Sequence, residues 1–215
     1  MRYPYVLFDL DGTLLDTNEL IFRSFEHVFQ IHCPNTYTRE DVLAKFGRPL
    51  AEQMEEFVPG KGAELVKTYR EYNFQQHDAL VRSFPDVEEE IRKLYEAGVR
   101  LGVVTSKIRK TTLMGLELCR LLPYFETIVT ADDTAKHKPH PEPVRKAMEA
   151  LGADPARTLM VGDSPYDIQA GQAAGTAAAI VKWSLRSEEE LRSYQADYLV
   201  TSMKELRSVI LAKNE

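Results

Sequence analysis

Short apolar runs recur along the chain at residues 5–10, 99–105, 127–130, 158–161, 177–181 and 198–200. They are rich in β-branched and aromatic residues, and the first ends on Asp11-Gly12, so they predict short buried strands. Helical patterns fill the intervals, at 86–97, 109–119, 142–151, 167–174 and 188–194, with Gly98 and Gly152 placed to stop two of them. Strands alternating with helices of this length predict an α/β fold, a Rossmann-like parallel sheet covered by helices on both faces.

Residues 16–81 break that rhythm. The pattern there is nearly all amphipathic helix, with Leu20, Phe25, Val28 and Phe29 on one face and the loosest loops near 34–37 and 59–62. The division expected is a catalytic core formed by 1–15 and 82–215, with 16–81 inserted as a helical cap domain. Neither internal repeats nor low-complexity segments interrupt it, and the C-terminal residues 212–215 are expected to fray.

A chain of 215 residues has room for one main domain with a smaller insertion and can bury a core without staples. At 44% hydrophobic and 28% charged it has an ordinary globular composition. The net charge of −6 argues against a nucleic-acid partner, yet a locally positive site in an acidic protein still admits an anionic substrate. Cys33 and Cys119 lie far apart, without zinc-finger spacing, and are expected to be reduced thiols of a cytoplasmic protein. No apolar h-region suggests a secretory leader, and the small-residue stretch 173–181 is too short to span a bilayer.

Four short pieces carry candidate chemistry, and each is expected to lie just after a predicted strand, at its carboxyl end, where ligands bind in open α/β sheets. The first is Asp9-Leu10-Asp11-Gly12-Thr13. Two carboxylates one residue apart leave the strand on the same side, so one can attack phosphorus while the other handles protons, and Gly12 brings backbone amides close to an anion. A plain Asp-Gly turn is the bland alternative. The second is Thr105-Ser106, whose hydroxyls and the N–H groups opening the next helix suit phosphate oxygens; a simple helix cap competes. The third is Lys138-Pro139, where a lysine would neutralise phosphoryl charge and a solvated basic loop is the alternative. His137 and His140 beside it have no partners at ligand spacing. The fourth is Gly162-Asp163 with Asp167 four residues on. Asp163 with Asp9 can hold a hard cation such as Mg²⁺ through oxygen, while acids in a helix's first turn are the alternative. Taken singly each piece has a bland account; together they supply nucleophile, proton carrier, hydroxyl, cation and metal carboxylates, the parts of phosphoryl transfer.

In this order and across the whole chain, the four pieces resemble the motifs of the haloacid dehalogenase superfamily. The resemblance implies that Asp9 becomes phosphorylated and that Asp11 is general acid and base. It implies that Asp9, the Asp11 carbonyl and Asp163 bind Mg²⁺, and that Thr105, or its neighbour Ser106, holds the phosphoryl group with Lys138. It gives Asp167 the role of supporting the metal site or positioning Lys138. The insertion after the first motif resembles the cap of the phosphoglycolate phosphatase-like branch, and 138–153 with 162–176 resemble PpaX-type inorganic pyrophosphatases. Asp11 argues against dehalogenases and phosphonatases. Ile21, with Phe22 beside it, stands where mutases of the branch carry a cap histidine, and His27 lies further along the helix.

Phe46-Gly47-Arg48-Pro49-Leu50 resembles the cap loop that faces the site in this branch. Gly47 would allow close approach, and Arg48 could grip a second phosphate or a carboxylate; an exposed arginine in a connecting loop is the alternative. The reaction expected is hydrolysis of a small phosphorylated substrate, foremost inorganic pyrophosphate, with phosphoglycolate or another small phosphometabolite as the alternative. A non-catalytic phospho-ligand binding module is the rival from another class. No nucleic acid or membrane is expected as partner, and the oligomeric state is left open.

Overall fold

The computed structural model describes residues 1–213. Its elements run β1 (Tyr5–Phe8), β2 (Leu15–Asp16), α1 (Asn18–His32), α2 (Arg39–Leu43), α3 (Leu50–Phe57), α4 (Gly62–Leu80), β3 (Arg82–Ser83), α5 (Val87–Glu96) and β4 (Arg100–Val104). There follow α6 (Arg109–Leu118), β5 (Thr127–Val129), α7 (Glu142–Leu151), β6 (Thr158–Gly162), α8 (Pro165–Ala174), β7 (Ala177–Val181), α9 (Glu188–Ser193), β8 (Tyr198–Val200) and α10 (Met203–Leu211). The main sheet has the order β5-β4-β1-β6-β7-β8, and every pairing in it is parallel. The fold class is the expected one.

Alternation along the strands builds the two faces. Val6 and Phe8 point to one side with Leu101, Val103, Leu159 and Val161, where α5, α6 and α10 cover them through Ile91, Leu116 and Leu206. Leu7 and Met160 point to the other, under Val144, Met148 and Leu151 of α7 and Ala170 of α8. Helices α1–α4 are held by a separate cluster of Phe22, Phe25, Val28, Phe29, Met54, Phe57, Leu65 and Tyr69. The chain leaves the sheet for this helical insertion at β2 and returns at β3, and these two short strands pair antiparallel, Leu15 with Ser83 and Asp16 with Arg82.

Two features stand outside the expected elements, α10 and the β2–β3 ribbon. The expected start of α8 is Asp167, whereas the helix opens at Pro165 with Ser164 as N-cap; proline is at home in a first turn, which has no use for its missing N–H. Cys33 and Cys119 are both free thiols. No helix among the described residues is long and apolar enough to cross a membrane. Of the C-terminal residues expected to fray, Ala212 and Lys213 follow α10 outside any regular element, and 214–215 lie outside the described residues.

Candidate active site

The three central strands β4, β1 and β6 end side by side, and their carboxyl ends carry Thr105, Asp9 and Asp163. Here β1 has β4 on one side and β6 on the other, the switch in strand order that opens a crevice in doubly wound sheets. After β1 the chain turns at once: the Leu10 carbonyl accepts from both Leu14 and Leu15 N–H at 2.9 Å. Gly12 sits in that turn at φ 81°, and a Cβ there would lie 2.3 Å from Asp163 Oδ2. Only glycine lets the first and fourth motifs approach so closely.

Lys138, in the loop between β5 and α7 and preceding a cis Pro139, reaches into this crevice. Its buried ammonium donates to Asp9 Oδ1 and Asp167 Oδ1, both at 2.6 Å, and to the Val104 carbonyl at 2.9 Å. All three of its protons are thereby used. Asp167 serves twice, because its Oδ2 accepts from the Ser164 hydroxyl at 2.6 Å and amide at 3.1 Å in a capping box. Asp167 is therefore a helix-end acid through one carboxylate oxygen and a partner of Lys138 through the other.

Asp9, Asp163 and Asp167 each offer an oxygen within 4.8 Å of the others. Three carboxylates share one ammonium, which contacts Asp9 and Asp167, and the Arg186 guanidinium acts on Asp163 from farther off. Burial pushes Asp9 up to about 7, with Asp167 adding to the rise and Lys138 opposing it. Burial, then the charges of Asp167 and Asp9, raises Asp163 well above the ordinary range. Lys138 loses hydration by burial, but Asp167 and Asp9 outweigh that and raise it. A cluster short of positive charge, built wholly of hard oxygen donors, fits Mg²⁺.

Asp11 lines the same cavity outside this cluster, and its carboxylate accepts from Lys107 Nζ at 2.8 and 3.1 Å. Lys107 is a cavity residue the sequence reading passed over, although it directly follows Thr105-Ser106. Thr105 is buried, and its hydroxyl accepts from the Lys107 amide at 3.2 Å. Neither Thr105 nor Ser106 caps α6, whose N-cap is Ile108. The Arg109 amide donates to Asp132 at 2.7 Å, so that N–H is not offered to a phosphate as expected.

The cavity above these groups is roofed by the helical insertion, through Phe25, Phe46, Tyr69 and Asn73. Gly47 meets the sheet side: at φ 91°, its Cβ would lie 2.9 Å from the Tyr166 ring and 3.0 Å from Ser164 Oγ. Ser106 Oγ donates to the Gly47 carbonyl at 3.3 Å. Arg48 lines the cavity, but its guanidinium is closed on Glu56, Nη1 lying 2.9 Å from Oε2, with Glu52 at 3.5 Å. The free fork expected for a second anion is thus occupied by carboxylates of α3. His27 stacks on Tyr72, ring centroids 4.5 Å apart, and does not line the cavity.

Residues 6–181 match the haloacid dehalogenase-like hydrolases, and the chain belongs to that family. It is 46% identical over 210 residues, 98% of both chains, to the pyrophosphatase PpaX of Anoxybacillus flavithermus. To the protein of that name from Bacillus cereus it is 44% identical over 214 residues, 100% of this chain and 99% of that one. Among solved structures it resembles one from Clostridium acetobutylicum described as "a predicted phosphatase", with a TM-score of 0.87, 28% identity and coverage of 98% and 99%.

Proposed function

We propose that this protein is a Mg²⁺-dependent phosphohydrolase that cleaves inorganic pyrophosphate through a phosphoryl group carried on Asp9, with residues 16–81 as its cap. The observation that carries the reading is the Lys138 ammonium, 2.6 Å from both Asp9 and Asp167 and beside Asp163. An Asp9 carboxylate oxygen attacks phosphorus; the bond to the bridging oxygen breaks, and Asp11 gives the leaving group its proton. Water then attacks the Asp9-bound phosphorus and yields its proton to Asp11, and the carboxylate is released. Lys107 holds Asp11 in place, while Thr105 and Ser106 offer hydroxyls to the phosphoryl oxygens and Lys138 balances their charge.

Asp9 and Asp163, with the Asp11 carbonyl and with Asp167 in support, would hold Mg²⁺. Its contribution when bound is positive charge against the carboxylates and the phosphoryl oxygens.

The substrate assignment is supported by the two relatives named as pyrophosphatases over nearly their full lengths. A second reading, an organic phosphomonoester, is favoured by the apolar part of the roof, where Ile21, Phe25, Phe46 and Leu50 line the cavity. Phosphate release from pyrophosphate, phosphoglycolate and an aryl phosphate, each with Mg²⁺, separates them. The highest kcat/KM is expected for pyrophosphate; a clear preference for either monoester would replace the substrate while leaving the chemistry standing.

A further inference from the structure

The loop between β7 and α9 takes no part in the chemistry above, yet it touches the frame of the site at several points. Trp183 Nε1 donates at 3.0 Å to the carbonyl of Thr13, in the turn that follows Asp9. Its ring lies 6.4 Å from that of Phe84, next to β3 where the chain re-enters the sheet. Arg186 has only 10% of its side chain exposed. Its Nη1 is held by Glu190, which also accepts from the Tyr194 hydroxyl, and its Nη2 donates to the Phe46 carbonyl at 3.5 Å. Phe46 belongs to the same insertion loop whose next residue, Gly47, abuts Ser164 and Tyr166 and accepts from Ser106.

We propose that Arg186 is a positioning residue that latches the 46–50 loop over the carboxylate cluster by holding the Phe46 carbonyl, with Glu190 fixing its guanidinium. The proposal rests on reading residues 16–81 as the cap of a phosphohydrolase site. In this proposal substrate enters as the loop parts from the sheet side. Opening breaks the Arg186–Phe46 hydrogen bond and leaves a nearly buried guanidinium short of an acceptor; closing restores it. Arg186 thereby favours the closed site without touching phosphorus. A lysine would keep the charge, but it lacks the planar fork that serves Glu190 and Phe46 together.

Arg186→Ala and Arg186→Lys test this against wild type in two assays. One is steady-state hydrolysis of pyrophosphate and of 4-nitrophenyl phosphate with Mg²⁺. The other is titration of the emission of Trp183, the chain's single tryptophan, with inorganic phosphate and Mg²⁺. Arg186→Ala is expected to raise both KM and the half-saturating phosphate severalfold, the worth of one long hydrogen bond, while kcat changes less. Arg186→Lys should fall between. Phosphate binding needs no turnover, so a wild type that hydrolyses nothing would sink the phosphohydrolase reading while the emission titration still decides the latch. If Arg186→Ala unfolds, Glu190→Gln takes its place and is expected to shift both quantities the same way by less. A variant titration coinciding with wild type, or a wild-type emission indifferent to phosphate, overturns the latch.

Discussion

Asp9 and Asp11 are one residue apart and have different surroundings. Asp9 is buried against Lys138, whereas Asp11 is partly exposed and held by Lys107. The two carboxylates are thus kept on separate partners, as the proposed nucleophile and the proposed proton carrier. Asp11→Asn keeps the shape and removes the proton transfer, so turnover is expected to fall about 10²–10⁴-fold. Aryl phosphates with good leaving groups should lose less than pyrophosphate in the first step, because they need less protonation. Stopped-flow measurement of both substrates checks this, and equal losses would remove Asp11 from the role. The two aspartates could be picked out of the sequence because a strand end and an Asp-Gly turn place them. Lys107 could not be singled out in that way: a lysine opening a surface loop has no distinguishing pattern, and only the fold brings it to Asp11. Arg48 could be placed at the cavity from its loop, but its pairing with Glu56 depends on how α3 leaves that loop.

The strands were legible because their apolar residues alternate against two covered faces, and the helices because of their periodicity and glycine stops. The β2–β3 ribbon was not, since two-residue strands have no period to read. Met203, Leu206 and Ile210 of α10 do follow a helical spacing and are buried together, so this helix was legible although it is absent from the expected elements. The 46–50 loop is where the insertion meets the sheet, and Gly47 is its contact point. Gly47→Ala would place a Cβ 2.9 Å from Tyr166 on a backbone at φ 91°, which side chains disfavour. The loop is then expected to seat poorly, raising KM severalfold. The stability to unfolding should change by no more than about 1–3 kcal/mol, since none of the hydrophobic clusters of the sheet is touched. An unchanged KM would show that the loop does not govern substrate capture.

For the whole molecule, the carboxylate cluster is a cost that the proposed Mg²⁺ would relieve. Burial raises Asp9 from 3.8 to about 7, so the folded chain holds that proton more tightly than the unfolded one. In the metal-free protein the resulting stability is fully present below 3.8 and is lost as the pH rises to about 7. Mg²⁺ competes with that proton. The thermal midpoint should therefore fall between pH 4 and 7 without metal, and Mg²⁺ should raise it more at pH 8 than at pH 5. At about a hundred times its dissociation constant the ion contributes about 2.7 kcal/mol, several degrees for a chain of this size. Calorimetry at both pH values checks the sign, and an equal or larger Mg²⁺ effect at pH 5 would contradict it.

The covalent step on Asp9 is the centre of the account, and trapping it is the most direct measurement. Wild-type enzyme mixed with ³²P-labelled pyrophosphate and Mg²⁺, quenched in acid within a turnover and digested, should carry label on the peptide containing Asp9. Asp9→Asn should fold with the wild-type circular dichroism spectrum, bind no label and release no phosphate. Label on another peptide, or phosphate release by correctly folded Asp9→Asn, would contradict the mechanism.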